Sequence, residues 1–167
     1  PEYDEHKIAK IAEAVATAAV RFNIVKVSPE KGFTFRWEEA LAFEAGSAPF
    51  IMYAHTRACS IARKADGLAE SSNQLPTVSE MPEGLVELLR TICKHNDVLE
   101  RSVREQKPHL FALHMLDLAT AYNGFYRDCA VVQNGRVNGF AFSISETARA
   151  LLRSGLEGLG INAIEEM

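Results

Sequence analysis

The sequence predicts an all-α fold, a helical bundle of about five to seven helices with at most small β-hairpins. Three observations carry that expectation. Apolar residues recur at helical spacing through most of the chain, helix start signals stand before those stretches, and strand-like alternation is confined to two short segments. The length of 167 residues suits one domain able to bury a core without disulfides or metals, so residues 1–167 are read as a single domain.

From Asp4 to about Phe22, an alanine-rich stretch puts Ile8, Ile11, Ala12, Val15, Ala19 and Phe22 on one helical stripe. NIVKVSPEKGFTF alternates apolar and polar residues around Pro-Glu-Lys-Gly, as a two-stranded ribbon or an extended linker would. Trp37 to about Glu44 reads as a helix broken at Gly46, with Trp37 in the core. Ser47 and Pro49 then start a long helix reaching about Ala65. Residues 66–81 are polar and read as a loop with room for one helical turn. After Pro82, Leu85, Leu88, Leu89 and Ile92 form an apolar stripe, and Val98 and Val103 mark a separate, shorter helix. Pro108 starts the next helix, with Leu110, Leu113, Leu118, Tyr122 and Phe125. VVQNGRV carries the Asn-Gly signal of a tight hairpin. Ser143 or Ser145 is the expected cap of the final helix, with Glu146 completing a capping box for Ser143, and the glycines at 155, 158 and 160 close it.

Composition narrows the function classes. A net charge of −4 excludes a protein that coats DNA or RNA by charge alone. Locally, Ser47 to Lys64 holds no acidic residue but contains Arg57, Arg63 and Lys64, so any RNA contact is local and shaped. Cys59, Cys93 and Cys129, odd in number and without C-x-x-C spacing, suit a reducing compartment and read as small buried residues. With no membrane-length apolar run and no leader, the expectation is a cytoplasmic protein with no membrane partner. The opening proline suggests a piece of a longer polypeptide. Histidines 6, 55, 95, 109 and 114 form no metal-ligand spacing, and neither a nucleophile elbow nor a phosphate loop is present.

Two aromatic groups remain as candidates. Phe50, Tyr53 and Arg57 stand at i, i+3 and i+7, and Tyr122 and Tyr126 at i and i+4. Spacing leaves three readings open: aromatic core, a platform that stacks unpaired bases, or an anchor for another protein.

Longer blocks discriminate further. IAEAVATAAVRFNIVKV with KGFTFRWEEAL, SAPFIMYAHTRACSIARKA, KPHLFALHMLDLATAYNGFYRDCAVV and the closing GLEGLGINAIEEM together resemble, in order, the C-terminal anticodon-binding domain of arginyl-tRNA synthetase, a class I enzyme. The sequence departs from the family pattern at Ala141, Phe142, Gly158 and Phe50. The resemblance implies a domain of a longer synthetase that binds the anticodon stem-loop of arginine tRNA. It implies Phe50, Tyr53, Arg57, Tyr122, Tyr126 and Met167 as anticodon contacts, with Arg63 and Lys64 adding weak phosphate attraction. ATP with magnesium, and arginine, belong to a catalytic domain absent from this chain, which has neither H-x-G-H nor a Lys-Met-Ser block; no cofactor is expected here, and the chain alone is expected to be inactive. The rival expectation is a helical protein-interaction or oligomerisation module using the same aromatic stripe.

Overall fold

A computed structural model describes residues 3–44, 46–72 and 76–167. Among them, six α-helices pack around one core, with a three-stranded patch of sheet at one side.

Helix α1 (Glu5–Val25) starts where the Asp4 carboxylate accepts from the Lys7 backbone N–H at 2.7 Å. Its apolar stripe is only half used: Ala18, Ala19 and Phe22 are buried, while Ile8 near the N-terminus is 52% exposed. The following segment is an extended linker around a turn closed by Lys31 N–H to Ser28 C=O, and no ribbon forms there. Helix α2 is a single turn (Trp37–Ala40), shorter than expected. Trp37 is not core. It stands 52% exposed, edge-on to Phe35 at 4.8 Å, over a shallow hollow shared with Thr17, Val20 and Arg21 of α1.

Helix α3 (Ala48–Ala65) begins at Ser47, whose hydroxyl accepts from Phe50 N–H, with Pro49 in the first turn where its missing donor costs nothing. Ile51, Met52, Ala54, His55 and Ala58 bury the inner face and make it the central helix. Strand β1 (Ala69–Ser72) lies where a loop was expected, and a 3₁₀ turn at Val78–Glu80 supplies the anticipated helical turn. Residues 73–75 of that expected loop lie outside the described residues.

The segment after Pro82 is one continuous helix, α4 (Glu83–Arg104), where two were expected. No glycine or proline interrupts it after Gly84. The i,i+4 pairs Glu100–Arg104 and Arg101–Glu105 support its polar end. It turns into α5 (Pro108–Asp128) through Gln106, held at φ 55° while Lys107 N–H bonds Ser102 C=O at 2.9 Å. The two helices form an antiparallel hairpin, and Gly84 permits the closest approach: a Cβ there would stand 2.6 Å from the Gly124 backbone. Pro82 gives α4 no capping side chain. Instead Asp128, at the other end of the hairpin, accepts from Gly84 N–H. Arg127 foremost, and that N–H, hold its carboxyl below the usual range.

The Asn-Gly hairpin forms as β2 (Val132–Gln133) and β3 (Arg136–Asn138), with Asn134 and Gly135 both at positive φ. Strand β3 also pairs in parallel with β1. The last helix, α6 (Gly139–Gly158), is capped by Asn138, whose side-chain oxygen accepts from Ala141 N–H at 3.1 Å. Neither serine caps it: Ser143 bonds back to Gly139 C=O, and Ser145 is buried. Gly160 at φ 72° ends the helix as Ile161 N–H returns to Leu156 C=O at 2.9 Å, and both apolar residues are buried. Of the cysteines, Cys59 is buried, Cys129 half-buried and Cys93 exposed, the last against expectation.

Candidate functional site

The candidate site forms where α3, α5 and the C-terminal segment meet. Tyr53 and Arg57 share one face of α3, four residues apart. Tyr126 comes from the last turns of α5. The Arg57 guanidinium lies 4.4 Å from the Tyr53 ring centroid and 4.8 Å from that of Tyr126, so one cation contacts two aromatic rings. Its edge is also engaged: Nη1 donates to Asn123 Oδ1 at 2.9 Å and Nη2 to the Tyr53 hydroxyl at 3.3 Å. The tyrosines remain 38% and 41% exposed. Phe43, 59% exposed in the connection before α3, stands edge-on to Tyr53 at 6.5 Å.

Beside this stack lies an open cleft of about 440 Å³, lined by Tyr3, Tyr53, Arg57, Ser60, Arg63 and Met167, among others. Met167 reaches it because the final segment is tied across three helices. His55 Nδ1 on α3 donates to Ile164 C=O at 2.9 Å, and Arg63 Nη1 donates to Glu165 C=O at 3.3 Å. Lys7 on α1 pairs with Glu166, raising its own pKa and lowering that of the glutamate, while Arg153 on α6 lies 3.9 Å from Glu165. Burial holds His55 below the usual histidine range, so it is a neutral donor to the tail.

The expected residues separate. Tyr53, Arg57, Tyr126 and Met167 come together. Arg63 lines the same cleft, its guanidinium also 3.9 Å from Glu166. Lys64 is exposed and borders a neighbouring hollow of about 240 Å³ with Ile61, Tyr126, Val131 and Val132. Phe50 is half-buried against the core and faces a different groove, between α4 and α5, whose rim carries Glu83, Glu87, Asp117 and Asp128 against Lys94 and Arg127. Tyr122 offers no stacking face: it is fully buried, packs on Phe125, and bonds Ser145 Oγ through its hydroxyl at 2.9 Å. Asn123 and Phe43 were not singled out from the sequence. Asn123 has a signal in hindsight, standing three residues before Tyr126 on the same helical face; Phe43 lies in a loop where no periodicity operates.

Among the described residues, no three histidine, cysteine, aspartate or glutamate side chains converge to hold a metal ion, and no helix is long and apolar enough to cross a membrane.

Residues 51–167 match the family model of the DALR anticodon binding domain. The chain is 44% identical to the arginine-tRNA ligase of Methanocorpusculum labreanum, over all of this chain and 30% of that protein. It is 40% identical to that of Archaeoglobus fulgidus, over 99% of this chain and again 30% of the relative. Among solved structures it superposes on Thermus thermophilus arginyl-tRNA synthetase with a TM-score of 0.79 at 31% identity, covering 100% of this chain and 29% of that one. The Plasmodium falciparum arginyl-tRNA synthetase shares the fold, with a TM-score of 0.74 at 22% identity over 95% of this chain and 28% of that one. The chain thus spans about three-tenths of the length of these relatives.

Proposed function

Because the chain belongs to the DALR anticodon-binding domain family, as found at the C-terminus of arginyl-tRNA ligases, we propose that it binds the anticodon stem-loop of an arginine tRNA. Tyr53 and Tyr126 are its stacking surfaces. The observation that carries this reading is the exposure of both rings around Arg57, Tyr53 beside the open cleft and Tyr126 beside the neighbouring hollow, where a core role would bury them. Unpaired loop bases are read by stacking on aromatic rings and by hydrogen bonds to exposed base edges. Met167 supplies an apolar wall, Arg57 contacts both rings, and Arg63 and Lys64 add positive charge for the backbone. Tyr122 lies buried beneath the surface, and Phe50 belongs to the separate α4–α5 groove.

The parent polypeptide is an arginine-tRNA ligase of the cytoplasm, and adenylation of arginine with ATP and transfer to tRNA belong to its other domains. The exposed Phe33 and Trp37, away from the cleft, suit a protein contact with that remaining polypeptide.

Tyr53→Ala and Tyr126→Ala test the assignment. Each is expected to weaken binding of an arginine-tRNA anticodon hairpin by about 1–3 kcal/mol with unchanged helicity. Wild-type affinity in both folded variants sinks it.

A further inference from the structure

A guanidinium carries five N–H donors on a planar fork, and at Arg57 two of its nitrogens donate within the protein while two tyrosine rings stand against it. The Tyr53 centroid lies 4.4 Å and the Tyr126 centroid 4.8 Å from its central carbon, so both rings are within cation–π reach of the one group. The stem that carries this group has several rotatable bonds, and aromatic faces alone do not fix its rotation within the stack. An acceptor on α5 does so: Asn123, whose Oδ1 takes the Nη1 hydrogen at 2.9 Å. The bond ties α3 to α5 across 66 residues of sequence, and it lies one helical turn from Tyr126. Asn123 is itself half-buried and its backbone sits where Gly124 meets Gly84, so the acceptor is anchored in the tightest part of the α4–α5 hairpin.

We infer that Asn123 is a positioning residue of the RNA interface: it orients Arg57, which clamps Tyr53 and Tyr126 as a fixed pair whose outer surfaces receive the bases. The inference rests on the anticodon-binding reading and deepens it. It assigns Arg57 to the tyrosines instead of to a phosphate. A phosphate contact needs only positive charge, which lysine preserves; reaching Asn123 and Tyr53 at once while lying against two rings needs a planar fork, which lysine lacks.

The test uses the 167-residue chain and an arginine-tRNA anticodon hairpin, with Tyr53→Ala as reference. In the RNA-free chain, the Arg57 side-chain NMR signals are expected to carry ring-current shifts that Asn123→Ala reduces and Asn123→Asp, which keeps the acceptor, retains. Asn123→Ala is expected to raise the hairpin Kd about tenfold with an unchanged slope of log Kd against log salt. Arg57→Lys is expected to lose about as much, and Asn123→Ala combined with Arg57→Lys to lose little more than either. Wild-type affinity for Asn123→Ala or for Arg57→Lys, alongside a loss for Tyr53→Ala, overturns the positioning role and leaves the interface standing. Wild-type affinity for Tyr53→Ala overturns the interface and the inference with it.

Discussion

Tyr122 and Tyr126 differ by four positions and have opposite fates. Four residues rotate about 40° around a helix, too little for spacing to tell an inward tyrosine from an outward one. The structure separates them by partners: Tyr122 spends its hydroxyl on Ser145, and burial raises its pKa well above the usual range. Tyr122→Phe is therefore expected to cost about 1–2 kcal/mol in chemical denaturation, since Ser145 keeps a buried hydroxyl without its partner, while hairpin affinity stays at the wild-type level. A second buried polar pair sets a pH dependence. His114 Nε2 and His95 Nδ1 lie 3.2 Å apart between α5 and α4, one donating to the other, and burial disfavours a charge on either ring. Burial first, then the neighbouring His95, pushes His114 down to about 4, against an ordinary 6.5. A histidine depressed in the folded state is protonated first in the unfolded state. Stability is thus complete above about pH 6.5, falls as the pH drops through the window to about 4, and has by then lost up to about 3 kcal/mol. Unfolding curves across that window check it, and a flat profile contradicts it; His114→Gln should shrink the dependence. The sequence marked these histidines only as forming no metal spacing, because their meeting is tertiary.

At the scale of elements, helices that close on local signals were legible and pairings across the chain were not. Pro49, Pro108 and the Asn-Gly turn announce α3, α5 and the hairpin in the order of the chain. Strand β1 carries AESS, with no alternation, and exists because β3 offers it a partner about 67 residues later. Asn138 outcompetes the two serines because the hairpin delivers it at the helix start with its oxygen toward Ala141 N–H. The α4–α5 hairpin gives two opposed predictions. Gly84→Ala puts a methyl against the Gly124 backbone and is expected to destabilise the domain by about 1–3 kcal/mol, read from its melting temperature. Gln106→Gly removes a side chain from a left-handed residue and is expected to stabilise it by about 1 kcal/mol.

At the scale of the whole molecule, the closing segment 161–167 joins the ends of the chain to the interface. Buried Ile161 pins its start, His55 holds Ile164, and Lys7, Arg63 and Arg153 hold Glu165 and Glu166, which brings Met167 to the cleft. Removing residues 161–167 is expected to cost about 2–3 kcal/mol of stability through Ile161 alone and to weaken hairpin binding as well. A truncated chain with full affinity excludes the tail from the interface. The family's closing motif made this reach readable as a resemblance; the ion pairs of Lys7 and Arg63 with Glu166 join residues more than 100 positions apart and leave no local trace.

The central claim is that the tyrosine pair reads an unpaired loop. It is tested most directly by titrating the chain with an arginine-tRNA anticodon hairpin, and with the same hairpin carrying a replaced central anticodon cytosine, while following NMR shifts. The account predicts tighter binding of the native loop, with shifts concentrated at Tyr53, Arg57, Asn123, Tyr126 and Met167. Equal binding of both hairpins, or shifts gathered in the acidic α4–α5 groove beside Phe50, contradicts it.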